Sequence, residues 1–193
     1  MRPVIFIIAA LFFASTSAHA EQRPCTMNIT FDTTDAQAGW RAVNDGVMGG
    51  KSSGGPRFDN GDMVFEGVIN TNGGGFSSVR LDVEPGPLSG AAGLNLRVKS
   101  DGRSYKITLK TDARYRFRPV SFQGLIPSTQ SGQWADVNVP FSALRPSLFG
   151  RPVRGAEFNA AAIQEIGIII ADGQDGPFEI RVESISACEH GPR

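Results

Sequence analysis

A chain of 193 residues with 19 basic and 19 acidic side chains carries no formal net charge, so no whole-molecule field draws it to nucleic acid or to an anionic membrane. Only local patches can do that. It has two histidines, His19 and His190, and two cysteines, Cys25 and Cys188, too few to furnish a nucleophile–histidine–acid triad or a zinc site, and no cofactor or metal is expected.

The N-terminus has the marks of a secretory signal peptide: Arg2, an apolar run over residues 4–14 and the small-residue site Ala18-His19-Ala20. The run is too short to span a bilayer. Residues 1–20 are therefore expected to be cleaved. Residues 21–193 are expected to form a single domain, exported to the periplasm or secreted, and not membrane-spanning. Cys25 and Cys188 flank the folded part, and in an oxidising compartment that placement predicts a disulfide. Closing so long a loop would stabilise by roughly 5 kcal/mol in the chain-entropy model. Asn28-Ile29-Thr30 is a glycosylation sequon, of consequence only in a eukaryotic secretory pathway.

Alternation of period two then predicts about ten strands, near 26–31, 51–58, 62–70, 75–83, 92–100, 104–112, 115–122, 133–140, 164–171 and 177–187. Leu94, Leu96 and Val98 point one way while Asn95, Arg97 and Lys99 point the other; Tyr105, Ile107 and Leu109 alternate likewise with Lys106, Thr108 and Lys110. Asn60-Gly61, Asp101-Gly102 and Asp175-Gly176 sit between strand-like runs and read as hairpin turns. Residues 40–54, with Gly46, Gly49, Gly50 and Gly54, are too glycine-rich for a helix and read as a turn-rich segment. Prolines mark loops near 85–87 and 140–152, and a short helix is expected around 158–163. One apolar and one wet face per strand predicts an all-β fold, an antiparallel β-sandwich.

Several apparent catalytic motifs fail on inspection. Gly49-Gly50-Lys51-Ser52 resembles the end of a P-loop, but the position that needs its first glycine is Asp45, whose charge would repel phosphate. The glycines at 73–75 miss the dinucleotide fingerprint at Ser78. Asp45, Glu66, Asp101, Asp172 and Asp175 could in principle supply paired carboxylates, yet most adjoin glycines, where Asp serves local backbone hydrogen bonds. Residues 172–176 have the look of a calcium loop without the bidentate glutamate.

Five blocks in order carry a family resemblance: residues 40–54; Gly73 to Arg80; Asp101-Gly102-Arg103-Ser104-Tyr105; Trp134 through Pro140-Phe141-Ser142 with Gly150-Arg151-Pro152-Val153; and Ile166-Gly167-Ile168 with residues 175–180. Together they resemble the NADH:ubiquinone oxidoreductase (complex I) intermediate-associated protein family. That resemblance implies a jelly roll of galactose-binding-like type. It also implies a non-enzymatic assembly factor whose partner is a protein or an assembly intermediate. The alternative is a carbohydrate-binding module of the same fold.

Two candidate binding regions follow. One is the loop Asn44, Asp45, Met48, Gly49 and Gly50, with Arg80 and Asp101. Met48 is an adaptable apolar contact if exposed and core if tucked under; Asn44 and Asp45 bind or cap the turn; Arg80 clamps an acid internally or meets a ligand. The other is a basic face, Arg97, Lys99, Lys106, Lys110 and Arg116 with Arg114 and Arg118, which forms one surface if the three strands are neighbours. Otherwise such cations protect strand edges. Trp40 and Trp134 begin strands and read as core anchors rather than sugar platforms.

Overall fold

The computed structural model describes residues 25–188, leaving the expected signal peptide and His190 outside the described residues. Among the described residues thirteen strands form two sheets in which every pairing is antiparallel. The first sheet contains β1 (Cys25–Ile29), β3 (Ser53–Asp59), β4 (Asp62–Ile69), β6 (Gly93–Ser100), β9 (Trp134–Pro140) and β13 (Gly176–Cys188). Its order is β3-β4-β13-β6-β9, with β1 also on β13. The second contains β2 (Arg41–Asn44), β5 (Ser77–Asp82), β7 (Tyr105–Tyr115), β8 (Arg118–Leu125), β10 (Arg145–Leu148), β11 (Arg151–Pro152) and β12 (Glu165–Ile170). Its order is β11-β10-β8-β7-β12-β5-β2.

All ten expected strands are present, and β2, β10 and β11 are additional. β2 is four residues against a glycine-rich turn, and β10 and β11 lie in the proline-marked stretch. Proline is tolerated there because these strands approach the sheet edge. A single helical turn, α1 (Thr34–Gln37), is capped by the Thr33 hydroxyl, which accepts from the Ala36 N–H at 3.2 Å. The expected helix near 158–163 is a short 3-10 turn, Ala160–Ala162.

The alternating apolar residues meet between the sheets. Phe65, Leu94, Leu96, Val98, Phe178, Ile180 and Val182 from one side pack with Val79, Ile107, Leu109, Phe122, Ile166, Ile168 and Ile170 from the other. Phe65 and Phe178 meet edge-on with centroids 4.8 Å apart.

Of the three turn dipeptides, Asn60-Gly61 closes a two-residue hairpin, with Asp59 opposite Asp62 and positive φ at both turn residues. Asp101-Gly102 and Asp175-Gly176 do not close hairpins. They carry the chain from one sheet to the other, between β6 and β7 and between β12 and β13. Locally the two situations need the same backbone freedom; only long-range pairing separates them.

Five crossovers gather at one end of the sandwich: 45–52, 70–76, 101–104, 126–133 and 171–175. At the opposite end of β7 and β8, Arg116 and Phe117 form a two-residue hairpin turn. Beside it Phe149 and Gly150 close β10 onto β11. Cys25 stands opposite Cys188 in the β1–β13 register, as the expected joining of the two ends requires. The expected disulfide would involve the Cys188 side chain, which lies outside the described residues.

Candidate functional site

Asp45 organises the crossover end. Its residue is fully buried at the start of a 3-10 turn, Asp45–Met48. Its carboxylate accepts from the Ser52 N–H at 2.9 Å and hydroxyl at 2.6 Å, from the Gly75 N–H at 2.6 Å and from the Phe76 N–H at 3.4 Å. Burial pushes its pKa up, but these four donors outweigh burial and hold it below the ordinary carboxylate value. The glycines around it make room. A Cβ on Gly50 or on Gly74 would lie 2.2 Å from the Asp45 side chain. The Ser52 hydroxyl also accepts from the Asn70 N–H at 3.0 Å, and Asn44 accepts from the Ser77 hydroxyl at 2.6 Å while donating to the Gly54 carbonyl. The two loops are thereby fastened across the gap between the sheets.

A second clasp lies beside the first. Arg103 forks onto Asp172 with contacts of 2.7 and 2.9 Å, and its remaining donors reach the carbonyls of Gln174, Gly176 and Pro177. Burial raises the pKa of Asp172, and the hydrogen bonds from Arg103 overcome that, leaving it lowered. Asp101 accepts from the Arg103 and Glu179 N–H groups and from the Tyr105 hydroxyl. Asp175 accepts from the Thr71 N–H at 2.6 Å, which links the two clasps.

The candidate loop residues are thus brought to one end of the molecule, but Asn44, Asp45 and Asp101 spend their polar atoms internally. The most exposed apolar side chains at this end are Val47, 76% exposed, and Met48, 62% exposed, and the polar residues Lys51, Thr71 and Asn72 are exposed too. The turn beneath Val47 and Met48 is held by Gly49, whose φ of 87° suits glycine and whose N–H donates to the Gly46 carbonyl.

Arg80 lies apart, on the outer face of the second sheet. It faces Glu165, whose buried carboxylate is also paired with Arg41 and, at 2.9 Å, with Lys110. Gly167 lies between Arg80 and Thr108 in the register, and a Cβ there would sit 2.5 Å from the Val79 carbonyl oxygen and 3.1 Å from Arg80. The expected basic face is divided. Arg97 and Lys99 are on β6, whereas Lys106 and Lys110 are on β7, in the other sheet; Arg116 is at the β7–β8 turn. They point outward on opposite sides of the sandwich, because the Asp101-Gly102 segment crosses over. Arg97 is moreover paired with Asp136 and Glu183. Trp40 is core, packed on Phe31, but Trp134 is not: it sits opposite Lys99 on the outer face of the first sheet, with Arg97 and Lys99 over its ring.

Sequence reasoning missed Ser52 and Glu165, while Val47 lies within the loop it singled out. For Ser52 a signal existed: small residues at 50, 52, 74 and 75 together imply a compact acid packed between two loops. For Glu165, alternation within an apolar strand marks only an outward-facing acid, and nothing local marks its three cations.

A cavity of about 240 Å3 lined by Met27, Ile29, Leu81, Leu88 and Ile163 is mainly apolar. Among the described residues no group of three or more His, Cys, Asp or Glu could hold a metal ion, and no helix is long and apolar enough to cross a membrane.

These features define an antiparallel β-sandwich, and solved structures share the fold. A family 11 carbohydrate-binding module of the Clostridium thermocellum cellulase Lic26A-Cel5E superposes with a TM-score of 0.62 at 17% identity, covering 91% of this chain and 100% of the module. The same kind of module in complex with a mixed-linked tetrasaccharide gives 0.61 at 17% identity, covering 84% and 98%. A family 30 module gives 0.55 at 10% identity, covering 86% and 90%. The chain belongs to the Complex I intermediate-associated protein 30 (CIA30) family, which matches residues 29–182. The mouse mitochondrial complex I intermediate-associated protein 30 is 32% identical over 95 residues, 48% of this chain but only 29% of that protein's length.

Proposed function

We propose that this protein is a non-catalytic, exported binding module that holds a partner protein, in the manner its family name describes for assembly factors. One observation carries the reading. At the crossover end Asn44, Asp45, Asp101 and Arg103 are satisfied within the molecule, while Val47 and Met48 project from a turn whose acid is held by the neighbouring loop. A preorganised apolar knuckle with a thioether is suited to an apolar socket on another protein. It supplies no nucleophile and no general base. After export, such a protein would reach only the outward parts of a membrane complex, so its client is expected among envelope proteins.

The test is affinity capture from envelope extracts with the native chain and with Val47→Ser/Met48→Ser. Both positions are exposed, so the variant should fold as the native chain does. At least a tenfold loss of the captured protein is expected, about 1.4 kcal/mol. Undiminished capture would remove the knuckle from the reading.

Carbohydrate binding is the second reading, and Trp134 is the observation that favours it. The ring lies on an outer sheet face that also carries, four residues along β9 and beyond the Arg97–Asp136 pair, the amides of Asn95 and Asn138, whose side chains are bonded at 2.7 Å. If sugar is the ligand, Trp134→Ala should abolish signals on a glycan array. An array without native signals would end this alternative.

A further inference from the structure

Six described arginines are paired with carboxylates: Arg41, Arg57, Arg80, Arg97, Arg103 and Arg181. Arg145 donates to the carbonyls of Ser142 and Leu144. The five without such partners are Arg114, Arg116, Arg118, Arg151 and Arg154, and all belong to the β7–β8 and β10–β11 arms or directly follow them. They are exposed, and Asp112 is the one carboxylate on the β7 arm beside them. In a chain whose basic and acidic residues are equal in number, this concentrates unneutralised cations at one place.

The tips of the same arms carry exposed aromatics. Phe117 is 95% exposed and Phe149 is 67% exposed. Each occupies a left-handed turn position, with φ of 68° and 50°. Asn or Gly fits such positions far more easily than a bulky ring. Neither ring is repaid by burial in the core. Since β8 pairs with both β7 and β10, the two tips stand side by side, at the end of β7 away from the Asp45 and Arg103 clasps. Arg118 lies over the Phe149 ring at 5.6 Å and Arg116 over Tyr115 at 5.5 Å.

We propose that these paired hairpin tips dock on an anionic lipid bilayer. Phe117 and Phe149 enter the boundary between headgroups and acyl chains, and the five guanidinium groups lie against lipid phosphates. A lipid surface fits better than an acidic protein for two reasons. The surface is convex, so a protein would need two deep sockets at matched spacing, whereas a bilayer accommodates any projecting ring. The order of chemistry, apolar at the point and cationic just behind it, is also the polarity profile of a membrane interface. Guanidinium groups pair with phosphate oxygens in a fork.

Co-sedimentation with vesicles tests this independently of the Val47–Met48 reading. The full chain should partition onto phosphatidylcholine vesicles containing phosphatidylglycerol, hardly at all onto phosphatidylcholine alone, and less as salt rises. Arg116→Glu/Arg118→Glu should lower the partition coefficient at least about tenfold. Phe117→Asn/Phe149→Asn should also lower it about tenfold or more, with an unchanged or raised Tm because asparagine accepts these backbone angles. A Phe117→Trp reporter should shift its emission to the blue only with the anionic vesicles. No partition at low salt, or equal partition onto neutral vesicles, overturns the proposal. Ionic binding that ignores the asparagine variants also overturns it and points to an acidic protein surface.

Discussion

Asp45→Ala is expected to destabilise the protein by about 3–5 kcal/mol, because it strips four donors, two buried and two half-buried, of their acceptor at once. In a domain of this size that corresponds to a fall in Tm on the order of 10 °C. The Ser52 hydroxyl and the N–H groups of Ser52, Gly75 and Phe76 all converge on this one carboxylate. The Ser52 hydroxyl has a second acceptor in the Asn70 carbonyl at 3.2 Å, whereas the three N–H groups lose the carboxylate outright, in a space that glycines at 50 and 74 leave for it. Asp45→Asn, nearly the same shape, should cost almost as much, as its amide turns a donor toward donors. The folded state holds Asp45 ionised below its ordinary pKa. Its contribution is therefore complete above the unfolded value, about pH 4, and fades as pH drops toward the folded value. Asp172 and Asp175 are shifted the same way. Urea midpoints measured at neutral pH and near pH 3 should converge between the native protein and Asp45→Asn as acid is added. A constant gap would mean that the carboxylate's charge contributes nothing.

Arg103→Ala should be the next most damaging single change, at about 3 kcal/mol. Its partner Asp172 has a side chain only 3% exposed, so losing the guanidinium strands an anion away from water. Three loop carbonyls lose donors with it. Arg103→Lys keeps the charge but cannot fork onto the carboxylate and reach those carbonyls together. It should recover only part of the loss, leaving a deficit of about 1–2 kcal/mol. A double-mutant cycle with Asp172→Asn separates the pair from the carbonyl contacts. If the two single changes simply add, Asp172 is not what Arg103 stabilises, and the clasp must be reassigned to the loop backbone.

Much of the architecture was legible because period-two alternation survives wherever a strand has one dry face, as in Leu94 to Lys99. β2, β10 and β11 escaped because four residues or fewer leave too short a pattern, and because prolines in β10 and β11 read as loop. The distribution of strands between sheets was not legible. Asp101-Gly102 carries the same turn chemistry as Asn60-Gly61, yet one segment crosses between sheets and the other turns back. That single ambiguity merged Arg97 and Lys99 with Lys106 and Lys110 into one imagined surface. At the crossover end the right residues were visible but their direction was not. Whether Asp45 faces inward depends on Ser52 and Gly75, and Gly75 is thirty residues away in sequence. Phe117 gave no signal, since an aromatic within a strand-like run reads as core until the turn is located, and Phe149 lay in a stretch that its prolines marked as loop.

The placement of β13 bears on biogenesis. It is the central partner in its sheet, flanked by β4 and β6 and also holding β1, yet residues 176–188 are translated after every other described strand. A nascent chain that ends before them carries two open edges where the middle of a sheet should be, each a template for stray pairing. Folding of this domain must therefore wait until β13 has been made, and a chain that stops short of position 176 should yield a sticky fragment rather than a smaller working domain.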